Sequence, residues 1–75
     1  MNVYLEKIDP RRNCCRFYLL RIEADLFAGH QLIAQWGRIG SQGRSAIKGS
    51  GSMDVCRDLQ ARITLLRRKR GYALP

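Results

Sequence analysis

The sequence predicts an α+β domain, an antiparallel sheet of about four strands packed against one C-terminal helix. Three observations lead there. Stretches rich in β-forming residues, separated by turn signals, fill the chain up to Lys48. A single stretch of helical periodicity follows them. The chain has 75 residues, enough for one domain over residues 1–75 with a small core. It has no repeat, long linker or low-complexity tract to divide it.

Val3 to Ile8 is rich in β-formers and reads as the first strand. Asp9 to Asn13 reads as a turn, because Pro10 fixes φ while Asp9 and Asn13 supply local hydrogen bonds. Cys14 to Glu23 is a longer strand with apolar residues on both alternating sets, so one end is expected to be buried on both faces. Asp25, Gly29 and His30 break it. Gln31 to Ile39 is the third strand. Alternation sets Leu32, Ala34, Trp36 and Arg38 on one face and Ile33, Gln35, Gly37 and Ile39 on the other. Gly40 to Gly43 is a hairpin signal, and Arg44 to Lys48 forms the fourth strand.

Gly49 to Ser52 is a short joint. Ser52 suits an N-cap and Asp54 complements the dipole of the first helical turn. Cys56, Leu59, Ile63 and Leu66 then recur at helical spacing, which predicts an amphipathic helix of about four turns. Asp58 and Arg62 make an i, i+4 pair on its wet side. Arg67, Arg68, Lys69 and Arg70 place cations in the last turn, and Gly71 fits the stop position after it. Tyr72 to Pro75 is expected to form a short edge strand or a docked tail, with Met53 and Tyr72 as packing residues.

The charge points to a polyanionic partner. Lys plus Arg number 14 and Asp plus Glu 6, a formal net charge of +8. Arg11, Arg12, Arg16, Arg21, Arg38, Arg44, Arg57, Arg62, Arg67, Arg68 and Arg70 dominate the cations, and the guanidinium fork matches phosphate bidentately where an ammonium does not. Residues 1–37 carry five basic and four acidic groups, net +1; residues 38–75 carry nine and two, net +7. The partner surface is therefore expected in the second half.

The side chains that chemistry would need are scarce. His30 is the only histidine, and Cys14, Cys15 and Cys56 have no C-x-x-C spacing. Neither a tetrahedral zinc site nor a nucleophile-base pair is suggested. No catalytic residue, metal site or cofactor is expected, and the thiols are read as reduced and structural in a cytosol-like compartment. Cys14 and Cys15 would point to opposite faces of a strand, which argues against a bond between them. No apolar run approaches the ~20 residues that span a bilayer, and the N-terminus lacks a signal-peptide layout. A cytoplasmic monomer that does not engage membranes is the expectation, with association with a bacterial nucleoid a further option.

The informative segment runs from Trp36 to Arg44. Gly37, Gly40 and Gly43 surround the sole tryptophan and, with Arg38 and Arg44, place an aromatic plate beside guanidinium groups at a strand end. Aromatic faces stack on bases or sugars, and arginines grip phosphates. On composition alone, a core tryptophan beside an ordinary hairpin explains the segment equally well.

Trp36-Gly37-Arg38-Ile39-Gly40-Ser41-Gln42-Gly43 resembles the signature of the WGR domain, and Lys69-Arg70-Gly71-Tyr72 is similar to the family's basic-Gly-Tyr ending. The resemblance extends from Tyr4 to Tyr72. The helix departs from it by carrying Val55 and Leu59 where the family often has a small residue and an aromatic. WGR domains occur in DNA-damage-activated poly(ADP-ribose) polymerases and as bacterial modules. In the polymerases the domain clamps DNA ends. The resemblance implies that Trp36 stacks on a terminal nucleotide and that Arg38 grips the backbone beside it; on the residues alone, Gly37 is expected to clear side-chain bulk between the two. It implies a role linked to DNA repair and, without a transferase domain, no catalysis. Arg44, Lys48, Arg67, Arg68, Lys69 and Arg70 complete the expected nucleic-acid-binding set. The competing readings are an adaptor whose basic face docks an acidic protein and a binder of structured RNA.

Overall fold

The computed structural model describes residues 2–75. Strands β1 (Asn2–Asp9), β2 (Cys14–Asp25), β3 (Gly29–Arg38) and β4 (Arg44–Gly51) precede one helix, α1 (Met53–Lys69). The strands form a single antiparallel sheet in the order β1-β2-β3-β4. Each strand pairs with its neighbour in sequence, so short turns suffice throughout. The α+β class, the sheet and the single C-terminal helix are as the sequence predicts.

The turn after β1 is a single 3-10 turn over Pro10–Arg12, closed by Asn13 with φ 50. β2 and β3 run on to Asp25 and Gly29, because Asp25 still pairs with Gly29. The hairpin that joins them is therefore longer and tighter than the sequence reading allows. β4 likewise continues through the glycine-serine joint to Gly51, crossing an irregularity between Leu32 and Ile33 of its partner.

Register decides which side chains meet. Leu5 pairs with Tyr18, Tyr18 with Trp36, Leu20 with Ala34, and Ile22 with Leu32. Side chains alternate across a strand, so these residues share one face, and α1 covers it. Leu5, Tyr18, Leu20, Ile22, Leu32 and Ala34 are buried there with Cys56 of the helix. Each large aliphatic group so buried contributes roughly 1.5–3 kcal/mol. Phe17 is buried on the opposite face, its ring stacked on Tyr4 at 6.2 Å. This end of β2 is thus buried on both sides, as its apolar pattern predicts.

The Ser52 hydroxyl accepts a hydrogen bond from the Val55 N–H at 3.2 Å, and Arg62 pairs with Asp58 at 3.2 Å. The buried face of α1 is rotated relative to the sequence reading. Leu66 is 57% exposed, while Gln60 is buried and its amide donates to the Leu20 carbonyl at 3.3 Å. Gly71, at φ 97, ends the helix. The chain then turns back so that Ala73 exchanges two backbone hydrogen bonds with Glu6 on the free edge of β1. This is the docked tail. Cys14, Cys15 and Cys56 are free thiols.

Candidate nucleic-acid interface

Where β2 and β3 end and α1 finishes, the core gives way to a row of aromatic rings. Tyr18, almost fully buried, is the floor. Trp36 lies beside it at 6.1 Å and Tyr72 on its other side at 6.2 Å, both tilted. Trp36 is half-buried and packs against the core with part of its surface free. It is neither enclosed nor detached.

Cations surround these rings. Arg16 and Arg38 are register partners, one step beyond the Tyr18–Trp36 pair. Arg67 comes from the last turn of α1, and its guanidinium carbon lies 4.2 Å from the Tyr18 ring centroid and 6.0 Å from that of Tyr72. Lys48 Nζ lies 5.2 Å from the Trp36 ring. The negative faces of the rings hold these charges in place. Arg16, Trp36, Gly37, Arg38, Arg67 and Tyr72 line one cleft of about 490 Å3. An adjoining cleft of about 160 Å3 brings Lys48, Leu66 and Arg70 to the other side of Arg67.

No acidic side chain lines either cleft. The ion pairs among the described residues engage Arg12, Arg21 and Arg62, so the cleft cations keep no carboxylate. Arg38 is held by Asn13 instead, donating to its carbonyl at 3.5 Å and its side-chain oxygen at 3.3 Å. Neutral partners orient the guanidinium without cancelling its charge. Such a surface attracts an anion with an apolar or aromatic body. The described residues contain no group of three or more His, Cys, Asp or Glu that could hold a metal, and no helix long and apolar enough to cross a membrane.

The hairpin beneath the site is tightly built. The Ser41 hydroxyl donates to the Arg38 carbonyl at 2.8 Å, and the Gln35 amide donates to the Gln42 carbonyl at 2.6 Å. At Gly37 a Cβ would come within 2.7 Å of the Gly43 Cα. Gly37 therefore allows two backbone segments to touch on the face opposite Trp36 and Arg38, rather than clearing space between those two side chains as the sequence reading has it.

Of the residues singled out from sequence, Trp36, Gly37, Arg38, Lys48, Arg67 and Arg70 meet at this site. Arg44 pairs with Trp36 in register and stands beside it. Arg68 lines a groove on the other flank of α1. Lys69 is exposed and lines neither cleft. Sequence reasoning missed Arg16 and gave Tyr72 a packing role only. The signal for Arg16 was its spacing of two from Tyr18, which alternation puts on the same face. Tyr72 depends on the path of the tail after Gly71, which no periodicity reports.

No solved structure matches the chain. A protein of Sinorhizobium fredii described as uncharacterized protein y4dW is 37% identical over 70 residues, which cover 93% of this chain. The chain spans only 34% of that relative's length. The pattern of the WGR domain matches residues 1–74, from the first strand to the tail that carries Tyr72. The match takes in the whole sheet, the helix and every residue of the cleft, and on that ground the chain belongs to the WGR domain family of nucleic-acid-binding modules.

Proposed function

We propose that this domain binds DNA without catalysing a reaction and prefers ends or breaks. In this reading Trp36 stacks on a terminal nucleotide, while Arg16, Arg38 and Arg67 take the adjoining phosphates. The observation that carries it is the half-buried Trp36 in a cleft lined by those arginines and by no acid. Base faces inside an intact duplex are already covered by their neighbours, so an aromatic plate of this kind finds a free face only at an end or a break. Lys48 and Arg70 extend the cationic track beyond Arg67.

Trp36 is the only tryptophan, so its fluorescence reports on this site alone. Short linear duplexes are expected to quench it, and an equal mass of closed circular DNA to quench it much less. Arg38→Ala should weaken binding to both forms, because a phosphate grip does not need an end. Equal quenching by the two forms would defeat the end preference. Competition by structured RNA better than by DNA of equal length would move the assignment to RNA, which alone offers 2′-hydroxyls.

A further inference from the structure

Two apolar features lie away from the aromatic cleft, and they complement each other. The first is the tip of the β2–β3 hairpin. Leu26 is 98% exposed and Phe27 97% exposed. The tip is a formed turn, since the Phe27 N–H donates to Asp25 Oδ1 at 3.2 Å. Of the carboxylates near the tip, Glu23 pairs with Arg21 at 3.6 Å, whereas Asp25 belongs to no ion pair of the described residues. An apolar tip carrying one such carboxylate thus projects from a chain of net charge +8.

The second is a groove of about 460 Å3 between the helix and β1. Val3, Ala61 and Leu65 give it apolar walls, and Arg57 and Arg68 line it as well. Neither arginine belongs to an ion pair of the described residues. Asp58, on the neighbouring stretch of helix, is held by Arg62. The groove therefore offers apolar walls and unneutralised positive charge, the counterpart of the tip.

The tip cannot reach the groove of its own chain. β2 and β3 stay paired up to Asp25 and Gly29, which carries Leu26 and Phe27 beyond Asn2, the start of β1. We propose that the groove receives the hairpin tip of a second copy, with Leu26 and Phe27 against Val3, Ala61 and Leu65, and Asp25 facing Arg57 and Arg68. Exchanged reciprocally, two such contacts close a two-fold dimer. Phosphate surfaces are disfavoured occupants for the tip, because Asp25 repels them. The Trp36 cleft lies at the opposite end of the β2–β3 ladder and stays free in the dimer. The proposal replaces the sequence-based expectation of a monomer and does not depend on the nucleic-acid reading.

Sedimentation equilibrium of the full chain from about 1 μM to about 1 mM, at ~0.15 M salt to screen general repulsion, tests it. The mass is expected to rise toward twice that of the chain. Phe27→Ser and Leu65→Ser both change exposed residues, so circular dichroism should stay unchanged while association falls at least about tenfold. Reversing the tip alone (Asp25→Arg) or the groove alone (Arg57→Glu with Arg68→Glu) should weaken association similarly. Combining all three should restore it. A monomer throughout the range, association indifferent to Phe27 and Leu65, or a combined variant no better than its parts would each overturn the proposal.

Discussion

Trp36 illustrates how one side chain serves both packing and recognition. Its contact with Tyr18 ties it to the core, and Lys48 lies over its ring. The cleft leaves part of the indole reachable. A wholly enclosed tryptophan would make Trp36→Ala a folding defect of roughly 3–5 kcal/mol. For this half-buried one, the expected result is a smaller loss of stability and a loss of about 1–3 kcal/mol in binding to short linear duplexes, the range for one aromatic-base stack. The end preference should vanish while salt-sensitive backbone binding remains. Titrations with linear and closed circular DNA, beside thermal melts, separate these outcomes. Unchanged affinity for linear duplexes would remove Trp36 from the contact. The adjacency of Trp36 and Arg38 was legible in the sequence because they are two residues apart on one strand face. Arg16 stands equally close in space but twenty-two positions back from Arg38, and only the register of β2 on β3 joins them.

At the scale of elements, the β3–β4 hairpin sets the site's shape through two glycines. Gly43 has φ 67, and a Cβ there would overlap the carbonyl group of Trp36. Gly43→Ala therefore meets both a strained backbone and a clash with the strand that carries the tryptophan. It should destabilise the domain by at least about 2 kcal/mol and weaken duplex binding in the fraction that remains folded. An unchanged denaturation midpoint would show that the hairpin relaxes freely. The sequence announced this turn through its glycines, and it announced the helix through its cap and periodicity. It gave less about the helix's orientation. Cys56, Leu59, Ile63 and Leu66 form a plausible apolar stripe, yet the buried face includes Gln60 and tilts toward Arg67. Two features outweigh the apolar count: the Gln60 amide finds the Leu20 carbonyl, and the Arg67 guanidinium finds the Tyr18 ring. Neither partner is visible in the periodicity of α1. The exposed Leu26 and Phe27 were hidden for a related reason, since a turn segment and a buried strand segment can share the same apolar residues.

Across the whole molecule, the distribution of positive charge matters more than its sum. The sequence placed a net +7 in residues 38–75, and the fold divides those charges between surfaces. Arg67 and Arg68 are neighbours in the chain but face different flanks of the helix. Arg67 lines the aromatic cleft with Arg16 and Arg38, while Arg68 lines the groove beside Val3. Binding driven by a diffuse field would feel both equally, because a long-range potential sums all charges. Binding through the cleft would not. On duplex DNA, log K falls against log salt with a slope of roughly −0.9 per phosphate neutralised. Arg16→Ala and Arg67→Ala should each make that slope shallower by close to one phosphate's worth, provided melts show the variant folded. Arg68→Ala should change it far less, and Arg62→Ala, whose guanidinium is already paired with Asp58, should leave it nearly unchanged. Affinities at several salt concentrations, on one linear duplex, decide between the two pictures. Equal slopes for the Arg67 and Arg68 variants would mean that the cleft holds no phosphate of its own and that the basic half acts only as a field.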